Sequence, residues 1–217
     1  MTSRIPFGFA ALLTIACGVP AHGQSIGIFL DRAGSLCSAQ VGPTPIATLY
    51  VLAYPGGAAA HGIHGVQFRI SGLPATWNPL NTSWLGAPGA ITLGNPLFTW
   101  MNGATPTVGA AVALGACRGD GVPEEDIPPV LVGTVQLLFA PTPSDVHLRI
   151  DRMLPYLNPE DPECPFVIID CIPVPPPPLK ICASGGEAFL NPLGPDCTVA
   201  VQYSSWSRIK SLYTDGF

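Results

Sequence analysis

The sequence predicts an all-β protein built as an antiparallel β-sandwich, and three observations carry that expectation. Apolar residues recur at a period of two in several short segments, the spacing of a half-buried strand. Glycine and proline, 24 and 26 of 217 residues, fall between those segments as turn punctuation. No helical period of useful length occurs before the C-terminus. Many short strands with such spacers define a sandwich.

The elements follow in order. Ile26, Ile28 and Leu30 alternate in the first segment. Thr48 to Tyr54 is apolar on both faces, as in a strand buried on each side or one whose outer face lies under a loop. The clearest alternation is Val66, Phe68 and Ile70 against Gln67 and Arg69. Val135, Leu137 and Phe139 form another, and Val146, Leu148 and Ile150 alternate with His147 and Arg149. Shorter candidates are Val130 to Val132, Phe166 to Ile169, Ala188 to Leu190 and Thr198 to Val201. The stretch from Trp77 to Cys117, rich in Gly, Ala and Pro, is expected to hold two irregular strands, Ala90 to Leu93 and Val108 to Leu114.

The N-terminus predicts export. Arg4 precedes the apolar run Phe7 to Val19 and the small-x-small site Ala21-His22-Gly23, so residues 1–23 form a cleavable signal peptide. That run is shorter than the about 20 residues a membrane span needs, and no later segment offers one. An alternative reading lipidates Cys17 within Leu13-Thr14-Ile15-Ala16-Cys17, anchoring the chain as a lipoprotein. The remaining chain divides into a sandwich at 24–172, a Pro-rich connector at 173–180 and a cysteine-bearing tail at 181–217. The run Pro173-Val174-Pro175-Pro176-Pro177-Pro178 cannot donate ladder hydrogen bonds, so it suits a rigid connector, or else a ligand for an aromatic groove.

Cleavage after Gly23 removes Cys17 and leaves Cys37, Cys117, Cys164, Cys171, Cys182 and Cys197, an even set suited to oxidised pairing in an exported chain. Connectivity is not determined by sequence; proximity suggests Cys182 with Cys197, Cys164 with Cys171, and Cys37 with Cys117. A zinc site is the rival reading, but no C-x-x-C and no adjacent His supply ligands at metal spacing.

The C-terminus carries one more element. Ser205 precedes Trp206, Ile209, Leu212 and Tyr213, a stripe at helical spacing with Arg208 and Lys210 off it. A short amphipathic helix is expected there, either docked on the domain or read as a C-terminal tag through Trp206, Ile209, Lys210, Leu212 and Tyr213.

Two sets of residues carry a family resemblance. Ile26 to Asp31, Tyr50 to Leu52, Gly62 to Ile70 and Gly133-Thr134-Val135-Gln136-Leu137-Leu138-Phe139 resemble the strands of a cohesin-like or immunoglobulin-like sandwich. Ser205 to Tyr213 resembles the Ser/Thr-Trp-x-x-Ile/Val-Lys-x-Leu-Tyr ending of a set of exported bacterial proteins. The resemblance implies fold and export rather than an activity. Dockerin-type duplicated calcium loops are missing from the sequence.

Composition narrows the chemistry. A net charge of −5 and the lack of basic runs argue against nucleic acid and anionic membrane surfaces. A serine hydrolase would need a nucleophile elbow, and no Gly-x-Ser-x-Gly occurs. His61 and His64 could offer two imidazoles to a metal, but no further ligand is nominated. Acidic residues gather at Asp120, Glu124, Glu125 and Asp126 and again at Glu160, Asp161 and Glu163. Calcium is the cofactor such extracellular oxygen clusters would suit, against the plainer reading of solvated loops. Trp77, Trp84 and Trp100 either fill the core or stack on sugar rings. The expectation is therefore a non-enzymatic structural or interaction protein, with no catalytic residues, whose partner is a protein or a polysaccharide at the cell surface. A carbohydrate-binding module is the alternative and an exported hydrolase the third reading.

Overall fold

The computed structural model describes residues 24–41, 46–59, 62–74, 77–84, 89–118, 128–139, 144–155, 163–169 and 179–193. They form thirteen strands and one short 3-10 turn at Gly57–Ala59, with no α-helix among the described residues. The strands are β1 (Ser25–Phe29), β2 (Ser38–Ala39), β3 (Ile46–Tyr54), β4 (Ile63–Ser71), β5 (Trp77–Ser83), β6 (Ile91–Asn102), β7 (Thr105–Arg118), β8 (Val130–Phe139), β9 (Val146–Asp151), β10 (Phe166–Ile169), β11 (Leu179–Cys182), β12 (Ser184–Gly185) and β13 (Glu187–Leu190). One sheet runs β12-β1-β3-β8-β5; the other runs β11-β10-β4-β9-β13-β2, with the β6–β7 hairpin joined to β4 through β7. The two sheets are antiparallel except for two short parallel pairs, β1 with β12 and β13 with β2.

The core lies where the alternation places it. Ile26, Ile28, Leu49, Val51, Val66, Phe68, Val135, Leu137, Leu148 and Leu190 are buried in one cluster between the sheets. Phe68 meets Trp84 edge to face, with ring centroids 5.9 Å apart. Val146, Leu148 and Ile150 point inward while His147 and Arg149 point out, the pattern expected of β9. Gln67 departs from that rule. It is buried on the outer side of β4, where its Nε2 donates to the Met153 sulfur at 3.2 Å.

The two-faced apolar character of β3 has a structural cause. Leu49, Val51 and Ala53 enter the main core, whereas Leu52 turns the other way into a small second cluster with Phe29, Cys37, Tyr54 and Leu131. The loop after β1 covers that cluster. The Asp31 carboxylate accepts hydrogen bonds from the Ser35 and Leu36 amides at 2.8 and 2.7 Å and from the Ser35 hydroxyl. Burial works against ionisation of Asp31, but the bonds from the Ser35 hydroxyl and the two amides outweigh it and hold the carboxyl below its ordinary value. Over the same cluster the Tyr54 hydroxyl is buried, and burial, together with the Asp31 charge, pushes its pKa up to about 12.

Residues expected to lie outside the sandwich take part in it. The expectation closes the domain at 172 and treats 181 onward as a tail, yet β11 pairs with β10, β12 with β1 and β13 with β9. Between β12 and β13 the chain crosses from one sheet to the other, and glycines make the crossing possible. A Cβ on Gly185 would stand 2.1 Å from the Ile150 carbonyl oxygen, and one on Gly186 would stand 2.8 Å from Gly27 Cα. The run 173–178, the strand expected at Thr198 to Val201 and the helix expected around Trp206 lie outside the described residues.

Candidate interaction surface

The stretch that sequence patterns resolve least exposes four large apolar side chains on one strand, Ile91, Leu93, Phe98 and Met101. The segments expected as irregular strands, Ala90 to Leu93 and Val108 to Leu114, fall in β6 and β7, but these are longer, 12 and 14 residues, pair as one hairpin and are preceded by β5. On the inner side, Ala110, Val112 and Leu114 of β7 are buried in the core, and the Thr92 hydroxyl donates to the Trp84 carbonyl at 3.1 Å. On the outer side, Ile91 pairs with Ala113 and Leu93 with Ala111. Ile91 is 71% exposed and Leu93 49%.

Beyond Leu93 the hairpin leaves the sheet. Gly94 takes φ +88° and the register slips between Asn95 and Thr99, leaving three residues of β6 unmatched. The Asn95 side chain accepts from the Leu97 amide at 2.9 Å and Leu97 packs on the core, while Phe98 is 45% exposed. Trp100 holds this bend together: its indole N–H donates to the Gly109 carbonyl at 2.8 Å. A Cβ on Gly94 would lie 2.5 Å from the Trp100 ring, so the indole lies against a surface that only glycine leaves open.

At Gly109, φ +135°, β7 parts from β4. Ala110 still pairs with Phe68, but Val108 exchanges backbone hydrogen bonds with Leu154 at 2.6 and 2.9 Å. The hairpin closes through Gly103-Ala104, with φ +62° at Gly103, the position that a type II′ turn reserves for glycine. Met101 beside it is 60% exposed. Along the outer edge, β6 has no strand partner other than β7 among the described residues.

Charge sets this surface apart. From Arg69 to Arg118 the sequence contains no Asp, Glu, Lys or Arg in between. Edge strands are ordinarily blunted by charge, proline or bulges; here Pro96 and the bulge interrupt the edge at its middle and no charge protects either half. That charge gap is visible in the sequence and was the available signal for Ile91, Leu93, Phe98 and Met101.

The residues singled out from sequence are placed as follows. Cys164 joins Cys182 with Cα atoms 5.5 Å apart, because antiparallel β10 and β11 set Phe166 against Cys182 and bring Cys164 alongside. This overturns the pairings of Cys164 with Cys171 and of Cys182 with Cys197, which nearness in sequence suggested. Cys37 and Cys117 are also disulfide-bonded. Cys171, Cys197, Trp206, Ile209, Lys210, Leu212 and Tyr213 lie outside the described residues.

Trp77 and Trp84 are core residues, and Trp100 is half-buried in the hairpin bend. Asp120, Glu124, Glu125, Asp126, Glu160, Asp161 and His61 fall outside the described residues, as does Cys17. Glu163 is exposed and faces Arg152 at 3.8 Å. His147 stacks on Phe189 at 4.4 Å and reaches Glu187 at 3.0 Å. Among the described residues no group of three or more His, Cys, Asp or Glu could hold a metal ion, and no helix is long and apolar enough to cross a membrane.

The chain is thus a two-sheet β-sandwich in which a long hairpin, without a charged residue before Arg118 at its end, extends one sheet. In structure it is similar to a cohesin module from the family 33 glycoside hydrolase of Clostridium perfringens, with TM-score 0.46 and 8% identity over 79% of this chain and 98% of that one. It is likewise similar to the seventh ScaB type I cohesin from Pseudobacteroides cellulosolvens, with TM-score 0.44 and 9% identity over 83% of this chain and 99% of that one. No family model and no curated relative matches the sequence. Neither structural likeness bears on what this chain binds.

Proposed function

We propose that this chain is an exported, non-catalytic protein-interaction module of the cell envelope or extracellular space. The observation that carries the reading is the β6–β7 hairpin, which exposes Ile91, Leu93, Phe98 and Met101 within a stretch, 70–117, that contains no Asp, Glu, Lys or Arg. Apolar side chains at such a site contribute binding energy by leaving water, at roughly 25 cal/mol per Å². Export is supported by the apolar N-terminal run and by the cysteines, since disulfides persist in oxidising compartments.

A photoreactive benzoylphenylalanine placed at Phe98, in protein returned to its native cells, tests the site. A covalent protein adduct from position 98, absent when the same group replaces Leu36, is the expected result. No adduct above the Leu36 control, or an adduct to polysaccharide only, overturns it. N-terminal sequencing of protein recovered from the envelope or medium tests export, with Gln24 expected as the first residue.

A further inference from the structure

We propose that two further disulfides close the sandwich, Cys37 with Cys197 and Cys117 with Cys171, in place of the Cys37–Cys117 pairing that the sequence suggests. Cys37 and Cys117 are both disulfide-bonded, and Cys164 is taken by Cys182. The inference rests on the export reading above at one point, the loss of Cys17 with residues 1–23, which leaves Cys171 and Cys197 as the remaining partners. Each bridge forms as two thiols pass two electrons and two protons to a disulfide oxidant of the oxidising compartment, which leaves as a dithiol.

Ladder registers keep Cys37 and Cys117 apart. Cys37 immediately precedes β2, and its carbonyl accepts from the Phe189 amide at 2.7 Å. Ser38 pairs with Phe189, Phe189 with His147, and Arg149 with Ser71. Carried two residues along the antiparallel β9–β4 ladder, this register sets Ser38 level with Leu73 and Cys37 level with Gly72, just past β4. Cys117 lies at the opposite end of β4, because its neighbour Arg118 pairs with Ile63. The rise from Ile63 to Gly72 is about 30 Å at roughly 3.3 Å per residue. Bonded cysteines have Cα atoms about 4.4 to 6.8 Å apart, so no bridge spans that gap.

Cys171 and Cys197 lie outside the described residues, and the reach of the chain assigns them. Gly65 and Val66 pair with β10 on one edge and with β7 on the other, so those two strands stand two spacings apart, about 10 Å. β10 runs toward the Ile63 end of β4 and stops at Ile169, from which the two residues to Cys171 extend at most about 7 Å. Cys171 therefore reaches Cys117 and falls far short of Cys37. At the other end of the sheet, the Asn191 amide donates to the Ala39 carbonyl at 2.9 Å, and its side-chain oxygen accepts from the Val41 amide at 2.6 Å. The six residues from Asn191 to Cys197 extend at most about 21 Å. That is enough to turn back to Cys37 and too little to reach the far end of β4. The Cys37–Cys197 bridge thus fastens the chain past β13 to the two-residue strand β2, and Cys117–Cys171 fastens the root of the β6–β7 hairpin across β4.

Non-reducing peptide mapping of the full chain, recovered from its native envelope or medium with free thiols blocked, tests the pairing. An Asp/Glu-specific protease cuts after Asp170 and Glu187, which separates Cys164 from Cys171 and Cys182 from Cys197. Linked Cys37–Cys197 and Cys117–Cys171 peptides, each lost on reduction, are the expected result. In a second measurement, alkylation in denaturant should label Cys37 in the Cys197→Ser variant and Cys117 in the Cys171→Ser variant. A Cys37–Cys117, Cys37–Cys171 or Cys117–Cys197 peptide, free thiols at Cys37 and Cys117 in the parent, or the opposite labelling in the variants overturns the proposal. N-terminal sequencing of the same sample separates it from the export reading. The expected bridges in a chain that keeps Cys17 unpaired uphold the pairing and reject cleavage after Gly23, whereas a peptide linking Cys17 to Cys37 or Cys117 rejects both.

Discussion

Replacing Cys164 and Cys182 together by serine isolates the contribution of one cross-link, because it removes both partners of the bridge and leaves neither thiol behind. The bridge closes a loop with a sequence separation of 18. In the chain-entropy model a loop of that length removes roughly 11 cal/mol/K from the unfolded ensemble, or about 3 kcal/mol at room temperature. The bridge also fastens β11 to β10, and β10 pairs with β4 at Phe166–Gln67, Val167–Val66 and Ile168–Gly65. Loss of the bridge therefore loosens an outer strand pair whose inner member, at Val167, reaches the core. For a chain of this size each kcal/mol shifts the melting temperature by about 2 to 4 °C, so the double variant should melt about 6 to 12 °C lower. Thermal and urea unfolding of the purified, oxidised protein measure the effect, and non-reducing peptide mapping of the parent fixes the connectivity. A loss under about 1 kcal/mol would refute the entropic argument, and a Cys164–Cys171 peptide would refute the pairing itself.

Three other outcomes are expected. Phe68→Ala removes a fully buried ring that meets Trp84 edge to face and should cost about 3 to 5 kcal/mol in urea unfolding, with far-UV circular dichroism still that of a β-protein. Gly185→Ala, with its Cβ 2.1 Å from the Ile150 carbonyl oxygen, should destabilise by about 1 to 3 kcal/mol or more, whereas Gly103→Ala meets no atom within 4 Å and should cost only the strain of a positive φ. Tyr54 keeps its proton in the folded state up to about 12 while the unfolded chain loses it near 10. Its contribution is thus fully present below pH 10 and lost as pH rises from about 10 to 12. Tyr54→Phe should flatten that part of the alkaline stability profile, and an unchanged profile would rule the tyrosine out as its cause.

The sequence by itself determined which strands have one wet face and one dry face, because a pleated strand shows burial directly as alternation. Val146, Leu148 and Ile150 are legible in this way, and so is the covered outer face of β3, where Leu52 meets Phe29 beneath the Asp31 loop. Tertiary structure alone decided the rest. The hairpin β6–β7 was obscured because β6 carries apolar residues on its exposed face, because Gly and Ala fill much of β7 and blur its alternation, and because Gly94 and the bulge reset the period midway. The pairing of Cys164 with Cys182 depended on a long-range contact: β10 and β11 are brought side by side by their ladder, and nearness along the chain does not measure that distance. β12 and β13 belong to the sandwich for a related reason, since two- and four-residue strands carry too few positions to show a period and are held by the partners they cross between. The exposed edge was half legible. The gap in charge from Arg69 to Arg118 stands in the sequence, but whether Ile91 and Leu93 face water or core is fixed by which side of β7 turns toward Trp84.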